Sequence, residues 1–334
     1  MTNKTANKIL AISLITLITI FFFSYADAQT VQELDQRLKR VEDSLGINSV
    51  IVPIDTATTL PVYQGIILTG SHDIFPVPYS PMFKDRDNLY KLFVLKGGQP
   101  YAVGSSNGMN NWIYSSTGNM PYGTVIKENP NRYLAAYHKW YNNQAFYYFA
   151  GSTNSYNWSD MALIRQPHGE DITFIIDGGK YKAYARMSVP PAIRTIGYME
   201  SQDFRNWTTL VEVLKPDVLD GLDQFYSMSV VKGNYGFFGF LNVFNTGTDL
   251  VSVQLVWSEN GKDDNWQRLN GRQEILTKKN GALCVYACAS VIGGDVYITT
   301  ISSKFNHSEN NRNGQYYYTE LYKISLTELQ KYIQ

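Results

Sequence analysis

Four times along this chain a strand-like run ends in the same turn. Ser105-Ser-Asn-Gly-Met-Asn-Asn-Trp112 returns as Ser152-Thr-Asn-Ser-Tyr-Asn-Trp158, as Ser201-Gln-Asp-Phe-Arg-Asn-Trp207 and as Ser258-Glu-Asn-Gly-Lys-Asp-Asp-Asn-Trp266. The tryptophans are 46, 49 and 59 residues apart. A period of that size holds about four short strands, the content of one β-propeller blade. A two-sheet sandwich could use similar strands but would not need one turn at a regular interval. The tryptophans are expected to pack over hairpin turns between neighbouring blades, and the sequons at Asn157 and Asn206 follow from the repeat.

The segments between the turns agree. Tyr90-Lys-Leu-Phe-Val-Leu95, Ala145-Phe-Tyr-Tyr-Phe-Ala150, Tyr181-Lys-Ala-Tyr-Ala185 and Asp295-Val-Tyr-Ile-Thr-Thr300 read as strands, bounded by Gly, Asn and Asp. Leu283 to Leu326 supplies strands for a fifth unit that lacks the Trp turn. From about residue 62 onward no helical pattern of any length appears before Ser325–Tyr332, which excludes a parallel α/β sheet. The expected fold is all-β: a five-bladed β-propeller with four antiparallel strands per blade, in a domain covering residues 62–334.

Composition bounds the partners. The 334 residues carry 29 Lys+Arg against 29 Asp+Glu, so the chain lacks the basic excess by which nucleic-acid binders displace phosphate counterions. Only 17% of residues are charged and 44% are hydrophobic, enough to build a large core. Cys284 and Cys288 stand four apart on one expected strand, about 13 Å from each other by the strand rise and too far to bridge. They read as buried free thiols, and stability has to come from packing.

The N-terminus reads as separate from the fold. Lys4 and Lys8 precede an apolar run from Ile9 to Phe23, followed by Ala26-Asp-Ala28. These are the three parts of a secretory signal peptide, residues 1–28, with the mature chain starting at Gln29; an uncleaved anchor is the alternative. The protein is therefore expected to be secreted, periplasmic or on the cell surface, with no membrane span left after cleavage. In residues 29–46, Val31, Leu34, Leu38, Val41 and Leu45 form an a/d seam ended by Gly46. The seam predicts a short helix, either joining copies through residues 31–45 or lying on the main domain. Residues 47–61 read as a linker.

The Ser-x-Asp-x-x-x-Trp turn and its surroundings resemble the five-bladed β-propeller glycosidases, the invertase/levanase and arabinanase/xylosidase superfamily. The closest segment is Asp171-Ile-Thr-Phe-Ile-Ile-Asp177-Gly-Gly-Lys-Tyr-Lys-Ala-Tyr-Ala-Arg186, continued by Arg194-Thr-Ile-Gly-Tyr-Met-Glu-Ser-Gln-Asp203-Phe-Arg-Asn-Trp207. It looks like the third blade of secreted members. The resemblance covers residues 62–325 and is specific over about 165–260. It implies glycoside hydrolysis, which needs two flanking carboxyl groups, one donating a proton and the other acting as base or nucleophile. It also implies three acidic residues ahead of the innermost strands of successive blades. The matching positions are Asp73, assigned by spacing and rivalled by Asp85 and Asp87; Asp171, in the best-matched segment; and Asp223. At Asp223 the superfamily usually carries a Glu acid, and an Asp followed by Gln224 departs from that pattern.

Arg186 and Arg194, at strand ends beside this cluster, are candidates to hydrogen-bond sugar hydroxyls or to face a carboxylate. Trp140, Phe225 and Tyr226 are candidates to stack on a sugar face. Asp177, Asp203 and Asp263 read as turn-formers. The four histidines, His72, His138, His168 and His307, lack metal-ligand spacing. Gly104-Ser-Ser106-Asn-Gly108 matches a nucleophile-elbow string but lies in a hairpin with no following helix. No cofactor is indicated, and nothing specifies a calcium ion in the central channel. Two functions compete. One is a secreted glycoside hydrolase acting on a poly- or oligosaccharide. The other is a non-catalytic carbohydrate-binding propeller on a short stalk, such as an adhesin or a viral receptor-binding head. A purely structural interaction propeller is a third, weaker alternative.

Overall fold

The computed structural model describes residues 59–333 except 70–73, 77–79, 86, 97–98, 117–122, 143, 166–168, 190–192 and 310–316. The signal peptide and seam helix read from the sequence, and Asp73, His72 and His168, lie outside the described residues.

The first strand, β1 (Val62–Thr69), precedes all five blades. Blade 1 consists of β2 (Ile74–Pro76), β3 (Phe83–Lys84), β4 (Tyr90–Lys96), β5 (Gln99–Ser105) and β6 (Ile113–Ser116). Blade 2 runs through β7 (Gly123–Asn129), β8 (Arg132–Tyr141), β9 (Gln144–Ser152) and β10 (Ser159–Arg165). Blade 3 follows with β11 (Gly169–Asp177), β12 (Lys180–Val189), β13 (Ile193–Ser201) and β14 (Val211–Leu214). Blade 4 has β15 (Asp223–Gly233), β16 (Gly236–Asn245), β17 (Leu250–Ser258) and β18 (Gln267–Arg268). Blade 5 takes β19 (Cys284–Ile292), β20 (Asp295–Ser303) and β21 (Tyr317–Ser325), and a short helix α1 (Leu326–Gln330) follows. In every blade neighbouring strands pair antiparallel.

The fourth strand of blade 5 comes from the other end of the domain. β1 pairs with β21, from Val62 opposite Lys323 to Thr69 opposite Tyr318. The ring is thus closed by strand pairing between its two ends, which also covers an otherwise unpaired edge.

Five apolar cores fill the five gaps between blades. Phe93 and Ala102 of blade 1 pack with Val125, Ala135 and Trp158 of blade 2. Leu134 and Phe149 of blade 2 meet Phe174 and Leu210 of blade 3. Ile196 and Val213 join Phe225 and Leu241, Phe240 and Leu255 join Val285 and Ile298, and Leu321 of blade 5 joins Leu92 and Val103 of blade 1. Burying one such side chain contributes about 1.5–3 kcal/mol.

The inner strands are tied by a hydroxyl relay. Thr124 Oγ1 donates to the Ile172 carbonyl at 2.7 Å, and Thr173 Oγ1 to the Met228 carbonyl at 2.6 Å. Ser229 Oγ accepts from the Ala289 amide at 2.9 Å, and Ser290 Oγ donates to the Met82 carbonyl. In the first three links the bonded backbone directly precedes the next residue of the relay, so these inner strands are held in one register. Between blades 1 and 2 a buried ion cluster serves instead. Asp85 meets Lys91 and Lys127, both at 2.5 Å, and accepts from the Tyr133 hydroxyl at 2.8 and 2.9 Å. Asp85, a rival for the first-blade acid, is therefore committed to a blade–blade clamp.

The repeated turn owes its shape to its third residue. Asn107 Oδ1 accepts from the amides of Met109 and Asn110, and Asp203 Oδ1 from those of Arg205 and Asn206. Asn154 and Asn260 do the same in their turns. The leading Ser donates to that Asx side chain at 3.0–3.5 Å in all four copies. This side-chain mimicry of a backbone turn is why Ser and Asx recur at that spacing. The tryptophans pack on the neighbouring blade where the expectation put them: Trp207 stacks on Phe149, 4.2 Å between ring centres, and Trp266 lies edge-on to Tyr184.

Candidate active site

Two β-bulges shape the ends of adjacent inner strands. The pairing of β11 with β12 skips between Glu170 and Ile172, leaving Asp171 as the extra residue, with φ of 42°. The pairing of β15 with β16 skips between Phe225 and Ser227, leaving Tyr226 as the extra one. A bulge re-aims one side chain out of the ladder's alternation, and a left-handed φ in a non-glycine residue is costly enough to suggest function.

The two re-aimed side chains share a partner. Asp171 is buried, and its Oδ2 lies 3.0 Å from Nη1 of buried Arg186. The same guanidinium sits 4.4 Å from the centre of the Tyr226 ring. Tyr147, from β9 of the preceding blade, fixes the backbone here by donating from its hydroxyl to the Arg186 carbonyl at 3.1 Å. Burial, reinforced by the Asp171 charge, raises the Tyr226 hydroxyl above its ordinary range and the Tyr147 hydroxyl well above it.

A second guanidinium joins from β13. Arg194 lies 5.5 Å from the Tyr226 ring centre and 5.1 Å from that of Phe244, and its Nη1 donates to Gln224 Oε1 at 3.1 Å. Burial and the adjacent Arg186 charge lower its proton affinity. The aromatic wall continues through Tyr286 of β19 and His307 after β20. Tyr226 and Tyr286 meet at 5.4 Å, and the Tyr286 hydroxyl is hydrogen-bonded to His307 Nδ1 at 2.6 Å. Burial pushes His307 below its usual range, and burial together with the charge of Arg186 takes His138 of β8 down to about 4. Both imidazoles are neutral near pH 7.

Asp171, Arg186, Arg194 and Tyr226, drawn from distant parts of the sequence, are thus brought together. Asp223, the first residue of β15, is half-buried and accepts from Asn245 Nδ2 at 2.7 Å across the pairing. Its neighbour Gln224 is the residue that reaches Arg194. Trp140 belongs to β8, its side chain outside the described residues. Phe225, a stacking candidate in the sequence, is fully buried in the core between blades 3 and 4, with the Arg268 guanidinium 4.9 Å from its ring, so no sugar can reach it. Asp177, Asp203 and Asp263 hold local structure: Asp177 pairs with Lys182 at 2.7 Å, Asp203 pins its turn, and Asp263 accepts from Asn260. Cys284 and Cys288 are buried free thiols, pushed up to about 11 and about 12 by burial.

Sequence reasoning missed Phe244, Tyr286, His138 and His307. Tyr286 stands four residues before the relay serine Ser290 while Tyr226 stands three before Ser229, so aligning the inner strands on the relay does not single it out. His307 carries no local signal; only the fold brings it against Tyr286. Among the described residues, no group of three His, Cys, Asp or Glu side chains is placed to hold a metal.

Solved structures share this architecture. A thermostable family-43 glycoside hydrolase matches with a TM-score of 0.59 at 16% identity, over 79% of this chain and 92% of that one. The α-L-arabinanase of Penicillium chrysogenum, complexed with arabinobiose, matches at 0.52 and 13%, over 81% and 99%. A family-32 β-fructofuranosidase of Bombyx mori, in complex with sucrose, matches at 0.55 and 13%, over 77% and 61%. No protein-family model matches the sequence, and neither does any curated protein. The fold is that of the five-bladed β-propeller glycoside hydrolases. The sequence identities, all below one in five, carry the likeness no further than the fold.

Proposed function

We propose that this is a secreted glycoside hydrolase that cleaves a poly- or oligosaccharide where the inner strands begin, with Asp171 as its central carboxylate. The observation that carries this reading is the Asp171–Arg186 pair, 3.0 Å apart, raised out of its ladder by a bulge and set beside the aromatic Tyr226. Asp171 takes the role of base, removing a proton from the attacking water, or of nucleophile, bonding to the anomeric carbon. Asp223 donates the proton that lets the leaving sugar oxygen depart, and Asp73 supplies the third carboxylate from blade 1. Tyr226 and Trp140 stack on the sugar, while Arg186 and Arg194 hold its oxygens. Neighbours of the same fold are described in complex with arabinobiose and with sucrose, which supports a carbohydrate ligand. Reducing-sugar release across a panel of plant, algal and host glycans tests the reading.

One observation favours a second reading. Gln224, which cannot donate a catalytic proton, lies next to Asp223 and is engaged by Arg194. A propeller that binds glycans without cleaving them would show saturable binding on the same panel and no release of reducing ends.

A further inference from the structure

A cleft of about 470 Å³ opens on the rim of the propeller between blades 3 and 4, a size typical of small-ligand sites. Residues of β14 and β18, the fourth strands of these blades, line it. Asp171 and Tyr226 belong to β11 and β15, the first strands of the same blades, so the cleft is separate from the candidate active site. Its deep side is apolar, formed by the buried side chains of Val213, Leu214 and Trp266. Beside them Arg268, its side chain 7% exposed, donates from one Nη to Asp220 at 2.8 Å and from the other to Gln254. Its Nε–H is buried and has no acceptor among the described residues. The Trp266 indole N–H also lacks one, but Trp112 and Trp207 of the other turns share that trait, so Arg268 is the distinguishing donor.

The lining charges cancel. Arg272 is held by Asp217 through two hydrogen bonds of 2.8 and 2.5 Å, and Lys215 lies 3.6 Å from exposed Glu212. Asp264, also exposed, completes a set of three carboxylates that line the cleft with the three cations. A ligand of either sign would meet as much repulsion as attraction, which favours an uncharged one. Leaving a buried donor unsatisfied is costly, so the Arg268 N–H favours an acceptor brought from outside. Sugar hydroxyls accept and donate at once, matching fixed N–H groups beside carboxylates, while the C–H face of a sugar suits an apolar floor. We infer that the rim cleft is a second carbohydrate site that binds an uncharged saccharide, one hydroxyl accepting from Arg268 and others donating to Glu212 and Asp264. Choosing a sugar over another neutral polyol rests on the reading of this protein as one that acts on glycans.

The test is titration of the whole protein with xylose, arabinose, galactose, glucose and mannose, which have no glycosidic bond to lose, followed by NMR of the tryptophan indole N–H groups and by calorimetry. The Trp266 signal, assigned by its absence from Trp266→Phe, should shift saturably with at least one sugar. Glu212→Ala and Asp264→Ala, made together at exposed positions, should weaken that response about tenfold or more, with an unchanged circular-dichroism spectrum. Tyr226→Ala, at the candidate active site, should leave it as it is. Heat of sugar binding with an unmoved Trp266 signal, or a Trp266 response indifferent to the double substitution, would overturn the rim site while leaving the candidate active site standing as a glycan site. Absence of binding to every sugar in both measurements would overturn both.

Discussion

Asp171 and Arg186 stand 3.0 Å apart because β11 carries one residue more than β12 at that point. In an unbroken ladder, residues 170 and 171 would point to opposite faces. The bulge turns the Asp171 carboxylate toward a guanidinium shared with Tyr226, the extra residue of the next blade's bulge. Two local irregularities, each costing pairing energy, thus converge on one group.

The histidines should make stability depend on pH. The usual imidazole value is 6.5, and in the folded state His138 lies at about 4, with His307 also lowered. The unfolded chain therefore binds more protons between about pH 4 and 6.5. Stability should be complete above that range and fall as pH drops through it, by on the order of 2 kcal/mol. Urea unfolding at pH 7, 5.5 and 4.5 checks this; His138→Gln should flatten the slope, and a slope unchanged by that substitution would contradict the assignment.

Much of the fold was legible in the sequence, for a physical reason. The Ser-x-Asx-Trp turn is fixed by side-chain hydrogen bonds within a few residues, so its chemistry repeats wherever the turn does. Ring closure is different: nothing local in Val62–Thr69 names Tyr317–Ser325 as its partner. At the site, Asp171 was legible because its segment matched a known pattern. The contact of Arg194 with Gln224 rather than with Asp223 was not, because the strand's register decides which of two neighbours faces Arg194. His307, outside any repeat, needed the tertiary structure.

The Asp85 clamp should be worth far more than its surface neighbour. Asp85→Ala strands Lys127 and Lys91 beside a buried tyrosine hydroxyl, and a loss of about 3 kcal/mol is expected. Asp87→Ala removes an exposed contact to Lys91, 3.1 Å long, and an exposed hydrogen bond from the Leu89 amide, also 3.1 Å, and should cost under about 1 kcal/mol. Paired denaturant titrations distinguish the two; equal losses would remove Asp85 from the blade–blade role.

The N-terminal reading makes a separate prediction. Intact mass of the secreted protein should place its first residue at Gln29; if the seam joins copies, deleting residues 29–46 should lower the mass measured by light scattering from that of an oligomer to that of a monomer without unfolding the domain. An unchanged mass would assign the seam helix to the surface of its own domain.

The central claim is that Asp171 is a catalytic carboxylate rather than a structural partner of Arg186. Turnover by the unmodified protein and by Asp171→Asn, measured on whichever glycan the panel identifies, tests it most directly. The account predicts a fall in kcat of at least about a thousandfold, with glycan binding retained and the thermal midpoint within a few degrees. Retained turnover in Asp171→Asn, or glycan binding with no turnover in the unmodified protein, would contradict it.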